Sequence, residues 1–269
     1  MRYFLFLFLL VPLFAKDIIA VSILPQKYIV DRIVGDSFET LALLPPGASP
    51  ATFAPKPSTI VKLKNAKLYL TIGVPFEKAL LKRITTPKTD MGRYLRRFPM
   101  DHDHDDHDHE GLDPHLWLSP PHIMLLARAT LQEAIRLQPA SSQKFLRNYQ
   151  QFIEELARLD VKLYQKLLRT PNKSFLVYHP SFGYFARVYD LRQIPIEVEG
   201  KEPKPKELLK LVRIAKELGI ETIFVEPQFP KKSALFLARK IGAKVETIDP
   251  LAYDLLTNLE KIADAISRR

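Results

Sequence analysis

The chain has 269 residues, of which 46% are hydrophobic, enough for one large or two ordinary domains. It contains no cysteine, which excludes disulfides, a thiol nucleophile and any zinc site built on cysteine. The formal net charge is +10, but the lysines and arginines are spread along predicted helices without interleaved aromatic residues. We therefore expect solvated basic surfaces and no nucleic-acid partner.

The N-terminus is typical of a cleaved secretion signal. Arg2 precedes an apolar run, and the polar chain starts at Lys16, so residues 1–15 are predicted to be a signal peptide. The run is short for a membrane span, which makes an uncleaved anchor the less favoured alternative. Because no cysteine follows the signal, we expect no lipid anchor. The mature protein should be free in an exported compartment such as a periplasm.

Strand-like and amphipathic segments alternate over the first hundred residues. The segments are predicted strands at 18–23, 38–44 and 66–72 and predicted helices at 26–34, 58–63 and 76–84. Strands that alternate with helices predict a parallel sheet that is covered on both faces. We assign residues 16–138 to an N-terminal α/β lobe.

A long helical stretch leads from this lobe into a second one. Helical periodicity covers 120–137 and then 141–168, where neither glycine nor proline interrupts a helix of roughly 40 Å. We assign residues 139–170 to a rigid linking helix and 171–269 to a C-terminal α/β lobe with a mainly parallel sheet. Its segments are predicted strands at 174–178, 193–198, 221–225 and 244–248 and predicted helices at 182–188, 205–218, 232–241 and 253–266.

Residues 101–110 form a histidine- and aspartate-rich tract. They comprise four histidines, five aspartates and one glutamate without any apolar residue, which predicts a solvated, mobile loop. Imidazole and carboxylate groups bind borderline divalent cations. The accessory metal ligands that this composition predicts are His102, His104, His107 and His109. The alternative is a solvated loop that has no role in metal binding.

Three further candidate metal ligands are His115, His179 and Asp249. His179 and Asp249 each follow a predicted strand and precede a proline, and ligands in open α/β sheets bind outside the carboxyl ends of strands. Two imidazoles and one carboxylate suit Zn²⁺ and are tolerable for Mn²⁺. The alternatives are a core histidine beside Trp117 for His115, and helix caps for His179 and Asp249.

Five motifs resemble one family. The motifs are PPGASPATFAP at 45–55, DPHLWLSP at 113–120, YHPSFGYFA at 178–186, VEPQF at 225–229 and IDPL at 248–251. The chain resembles the exported zinc- and manganese-binding proteins that deliver metal to ABC importers, and the tract resembles that of the zinc branch. The resemblance covers essentially all of the mature chain. It implies two lobes joined by a long helix, metal held in the cleft by His115, His179 and Asp249, and an ABC permease as partner.

Ala51 departs from the pattern of that family, which usually offers a histidine after PGASP. Alanine cannot coordinate, so one position is left open to water, a tract histidine or a substrate-like carboxylate. We expect a monomeric zinc-binding component of an importer, with manganese as the alternative cargo. A metal-dependent hydrolase with Glu226 as general base is a second hypothesis, although no HExxH motif or serine triad is visible. A third is an adhesion or metal-buffering protein in which the tract alone matters.

Overall fold

The computed structural model of the chain describes residues 16–100, 111–197 and 200–268. The predicted signal peptide and the tract histidines His102, His104, His107 and His109 lie outside the described residues, so these assignments stay predictions. Among the described helices, none is both long enough and apolar enough to cross a membrane.

The first lobe is a four-stranded parallel sheet. Its strands are β1 (Ile18–Val21), β2 (Glu39–Ala42), β3 (Leu68–Thr71) and β4 (Lys88–Asp90). Its helices are α1 (Leu24–Val34), α2 (Pro57–Lys64) and α3 (Pro75–Leu80). The strand order is β2-β1-β3-β4. The sequence did not predict β4, because this edge strand is only three residues long and consists of Lys-Thr-Asp, which carries no apolar pattern.

Two long helices follow the first lobe. They are α4 (Pro120–Leu137) and α5 (Ser142–Leu168), joined by a short 3-10 turn at Pro139–Ser141. At 27 residues, α5 is about 40 Å long. Its buried side chains recur at intervals of three, four and seven residues, which places one apolar stripe along its length; they are Phe145, Phe152, Leu156, Leu159, Leu163 and Leu167.

The second lobe repeats the topology of the first. Its strands are β5 (Ser174–Val177), β6 (Arg192–Pro195), β7 (Thr222–Val225) and β8 (Lys244–Thr247). Its helices are α6 (Gly183–Val188), α7 (Pro205–Glu217), α8 (Lys232–Ile241) and α9 (Leu255–Ser267). All strand pairs are parallel in the order β6-β5-β7-β8, so both sheets share one connectivity.

The apolar core is continuous between the lobes. Helix α5 packs against α1 and α4 and also against α9 of the second lobe. In β5, Phe175 and Val177 join the apolar cluster that includes the first lobe, whereas Leu176 joins a second cluster under α7 and α8. Both faces of this strand are therefore buried, as expected for a covered parallel sheet. The prediction of two α/β lobes linked by one long helix is confirmed.

Candidate metal site

The two candidate histidines within the described residues are held by rigid parts of the fold. His179 comes two residues after β5, a central strand of the second sheet. His115 directly precedes a 3-10 turn, Leu116–Leu118, whose three side chains are at most 1% exposed. Because that apolar turn is buried, the backbone of His115 is fixed. Each histidine thus projects from a segment that packing keeps in place.

Asp113 determines which ring nitrogen of His115 is available. The same carboxylate oxygen, Oδ1, accepts from the backbone N–H of His115 at 2.9 Å and lies 2.7 Å from its ring Nδ1. A carboxylate accepts hydrogen bonds, so the proton sits on Nδ1 and the Nε2 lone pair is left for a metal. Burial lowers the pKa of His115 below the usual histidine value, despite the opposing effect of Asp113. His115 is therefore neutral, the form that coordinates.

Glu197 plays the same part for His179. Its Oε1 lies 2.6 Å from Nδ1 of His179, which again directs Nε2 away from the carboxylate. Burial acts to lower the pKa of His179, but the hydrogen bond and charge of Glu197 and the charge of Glu226 together raise it above 6.5. His179 thus holds a proton more firmly than His115 and must lose it to bind a metal.

Glu226 supports the loop that carries His179. This residue follows β7 and is fully buried, and it accepts from the backbone N–H of His179 at 3.3 Å and from the Ser181 hydroxyl at 3.2 Å. Burial raises the pKa of Glu226 to about 7. Its oxygens are engaged in holding the segment after β5, which is a structural role.

The spacing of the two imidazoles fits a shared zinc ion. The ring centroids of His115 and His179 are 5.3 Å apart with an interplanar angle of 71°. Two imidazoles on one tetrahedral zinc, with Zn–N about 2.0 Å and each centroid about 1.2 Å beyond its nitrogen, have centroids about 5.2 Å apart. Trp117 packs beside His115 at 5.1 Å, and Phe229 stacks on His179 at 5.0 Å. The pair is thus flanked by aromatic rings, and its centroid spacing matches that of two imidazoles on one zinc ion.

Asp249 lines the cavity beside the two histidines and not the cavity that they share. Its Oδ1 accepts from the backbone N–H of Leu251 at 2.9 Å and from Gln228 Nε2 at 3.3 Å, and the residue lines a neighbouring cavity with residues of the 44–47 loop. Among the described residues, no group of three or more His, Asp or Glu side chains is arranged to hold a metal. The structure brings two of the three predicted ligands together, and the role of Asp249 stays a prediction.

One alternative interpretation from the sequence is wrong. Asp249 does not cap the last helix, because α9 starts at Leu255 and its cap is Asp254, whose carboxylate accepts from the backbone N–H of Thr257. His122 is half-buried in the first turn of α4. Its ring packs against Tyr184 at 4.8 Å, and its Nδ1 lies 2.9 Å from the Ser119 hydroxyl.

Hydrogen bonds between the lobes tie the site together. The indole N–H of Trp117, in the first lobe, donates to the carbonyl of Pro250 in the second at 2.7 Å. The hydroxyl of Tyr184, on α6, donates to the carbonyl of Asp113 at 3.0 Å and accepts from the backbone N–H of Phe98 at 3.2 Å. These bonds fix the relative positions of the segments that carry His115 and His179.

Both histidines line one cavity of about 80 Å³. Residues of both lobes form its wall, among them Ala51 and Val74 from the first lobe and Phe229 and Pro250 from the second. Ala51 therefore lines the same space as the histidines, as the departure from the family pattern predicts. The wall is mainly apolar.

Comparisons with known proteins agree with this architecture. Residues 19–268 match the family described as "Zinc-uptake complex component A periplasmic". A "Putative metal-binding protein" of Chlamydia trachomatis is 26% identical over 259 residues, covering 93% of this chain and 90% of that protein. The crystal structure of ZnuA is 37% identical with a TM-score of 0.88, covering 94% of this chain and 98% of that one. A ZnuA deletion mutant with zinc bound has a TM-score of 0.87, 37% identity and coverages of 94% and 97%.

Proposed function

The chain belongs to the family of the periplasmic zinc-uptake complex component A, and from this premise we propose that it captures Zn²⁺ outside the cytoplasm and delivers it to an ABC permease. Members of this family are solute-binding transport components, so the chain is a transport component and not an enzyme. The hydrolase hypothesis is therefore wrong, and Glu226 has a structural role. Residues 1–15 would direct export, and the mature protein would act as a monomer.

In this proposal, His115 and His179 bind the metal through their Nε2 atoms. The observation that carries it is the 5.3 Å separation of two rings whose Nδ1 atoms each contact a carboxylate. Such carboxylates orient a ligating imidazole and increase its basicity. Asp249 would supply the third donor from the adjacent cavity after exchanging its bond with Gln228 for the metal. The tract histidines would collect metal and pass it inwards.

Competition between Zn²⁺ and Mn²⁺ in a titration of the mature protein tests the proposal. We expect zinc to displace manganese, because a site with two imidazoles favours zinc over the harder ion. His115→Ala and His179→Ala should each weaken the tight zinc site by well over tenfold, which corresponds to about 1.4 kcal/mol per factor of ten. A site that prefers manganese would instead make manganese the cargo.

His122→Ala is a matched control for these two variants. His122 is a half-buried histidine close to the site that does not line the cavity. Its replacement should leave the tight zinc affinity within a factor of two or three, since the contacts that are lost, with Tyr184 and with the Ser119 hydroxyl, involve neither cavity histidine. If His115→Ala and His179→Ala behave like His122→Ala, the assignment of the ligands is wrong.

Growth under zinc limitation tests delivery. In the source organism, deletion of this protein should slow growth in medium with a zinc chelator, and added zinc should restore growth whereas added manganese should not. A complementing copy with His179→Ala should fail to rescue. Rescue by manganese alone would contradict zinc delivery.

A further inference from the structure

Two neighbouring helices of the second lobe share one outward surface. Helices α7 and α8 contact each other, and their buried side chains join the same apolar cluster on one face of the second sheet. Together they carry seven lysine and arginine residues but only two glutamates, and all seven cationic side chains are exposed. The surface that the two helices turn away from the sheet, which we call the α7–α8 surface, is therefore strongly cationic.

An exposed leucine lies among the cations on each helix. Leu209 of α7 is 63% exposed, and Leu235 of α8 is 46% exposed. Each leucine has a lysine three residues before it and an arginine four residues after it, a spacing that places all three on one side of a helix. The flanking cations are Lys206, Arg213, Lys232 and Arg239. The two helices thus repeat one pattern, an aliphatic side chain between two positive charges.

Contacts within the chain do not account for these cations. No ion pair between described residues involves α7 or α8. Lys206 and Lys232 lie in the first turn of their helices, where the helix dipole disfavours a positive charge. Lys62 and Lys64 of α2 lie instead in a last turn, where the dipole favours them. An anionic partner outside the chain would account for the lysines at the helix starts.

We propose that the α7–α8 surface binds the anionic phospholipid headgroups of a membrane, with Leu209 and Leu235 inserted at the boundary of the acyl chains. Helices that bind at a membrane interface combine lysine and arginine with apolar side chains in this way. Anionic lipids attract such cations, and burial of the leucines adds to the binding. Nucleic acid fits less well, because its single strands stack on aromatic side chains whereas the exposed apolar residues here are leucines.

Membrane binding leaves the metal site accessible. No residue of α7 or α8 lines the cavity that His115 and His179 share, so zinc and lipid can bind at the same time. Delivery to a permease requires the protein to reach the membrane, and the α7–α8 surface would hold it there. This benefit rests on the proposed function, whereas the lipid binding itself does not.

Sedimentation of the mature protein with lipid vesicles tests the proposal. The probes are vesicles of phosphatidylcholine alone and vesicles in which phosphatidylglycerol, an anionic lipid, is mixed with phosphatidylcholine. We expect binding to the mixed vesicles only, and added salt should weaken it because salt screens the charges. His115→Ala should bind the mixed vesicles as tightly as the unmodified protein, so failure of the zinc function is distinguishable from failure of lipid binding.

Charge reversal at the helix starts gives the sharpest comparison. Lys206→Glu combined with Lys232→Glu should weaken vesicle binding by at least about tenfold, because each cation near an anionic surface contributes about fivefold. Glutamate in a first turn suits the helix dipole, so this variant should fold at least as stably as the unmodified protein. Lys62→Glu combined with Lys64→Glu is the matched control, since it makes the same change in net charge at exposed positions of the first lobe. It should change binding by less than about threefold.

A second pair of variants tests the insertion of the leucines at unchanged charge. Leu209→Ser combined with Leu235→Ser should weaken binding severalfold, because less apolar surface leaves water. Val61→Ser is the control, because Val61 is 60% exposed on α2 of the first lobe. It should bind the mixed vesicles as tightly as the unmodified protein.

Three outcomes would overturn the inference. The first is no binding to vesicles that contain phosphatidylglycerol. The second is an equal loss in the two charge-reversal variants, which would mean that the vesicles attract a basic protein without using a particular surface. The third is unchanged affinity in the leucine variant, which would assign the α7–α8 surface to a soluble polyanion such as an acidic polypeptide.

Discussion

Replacing Asp113 by alanine should weaken zinc binding although Asp113 is not a predicted ligand. Oδ1 of Asp113 accepts both the backbone N–H and the ring N–H of His115, at 2.9 and 2.7 Å. Both residues are buried, at 4% and 8% exposure, so water does not readily replace the lost acceptor. The variant removes the group that fixes the tautomer and the orientation of the ring.

Two energies follow from this geometry. Loss of an oriented carboxylate behind a ligating histidine typically reduces metal affinity by about 10–100-fold, which is about 1.4–2.7 kcal/mol. A buried N–H left without an acceptor should also lower the free energy of unfolding of the metal-free protein by about 1–3 kcal/mol. Asp113→Asn should lose less of both quantities, because the amide oxygen still accepts.

Zinc affinity is measured by competition with a chromophoric chelator, and stability by urea unfolding of the metal-free protein. Asp254→Ala is the control for a general loss of stability. Asp254 caps α9, and its replacement should cost about 1 kcal/mol of stability without contact with either histidine. Zinc affinity equal to that of the unmodified protein in Asp113→Ala, or an equal loss of affinity in Asp254→Ala, would refute the reasoning.

Four further predictions concern proton release, the open ligand position, the histidine- and aspartate-rich tract and the contact between the lobes. The pKa of His179 is raised above 6.5, so zinc affinity should fall as the pH drops from neutral through that pKa. The proton released on binding should be detectable by calorimetry in two buffers. Zinc affinity that is independent of pH would contradict this prediction. Ala51→His should raise zinc affinity by roughly tenfold or more in the competition assay, by adding a donor in the cavity. Deleting residues 101–110 should lower the zinc stoichiometry but leave the affinity of the tight site unchanged. If the deletion weakens the tight site as much as His115→Ala or His179→Ala does, a tract histidine is a ligand. Trp117→Phe should lower the free energy of unfolding by about 1–3 kcal/mol, because the carbonyl of Pro250 loses its donor; unchanged urea unfolding would contradict this.

The order of secondary structure could be predicted because most of its elements are long or fully buried. Helix α4 begins and ends where the periodicity predicts, since Pro120 starts it and its apolar stripe persists to Leu137. The strands β3, β5 and β7 are buried throughout, so their apolar runs are unambiguous. The edge strand β4 could not be predicted, because its polar sequence has no apolar period. Only its pairing with β3 identifies it as a strand.

The histidines of the candidate site could be predicted, but the groups that orient them could not. His179 stands directly after an apolar strand, and strand ends are where ligands bind. Glu197 lies 18 residues later, and only the pairing of β5 with β6 brings it to 2.6 Å from the His179 ring. Asp113 sits two residues before His115, but the spacing alone does not reveal that one oxygen serves two donors. The side chain of Asp249 is directed by Leu251 and Gln228, which no sequence pattern indicates.

Nitrogen-15 NMR of the histidine rings on addition of equimolar zinc tests the central claim most directly. If zinc binds between the lobes, the Nε2 resonances of His115 and His179 should both shift to values typical of metal-bound imidazole. Their Nδ1 atoms should stay protonated against Asp113 and Glu197. Shifts confined to the histidines of residues 101–110, or to only one of the two cavity histidines, would contradict the account.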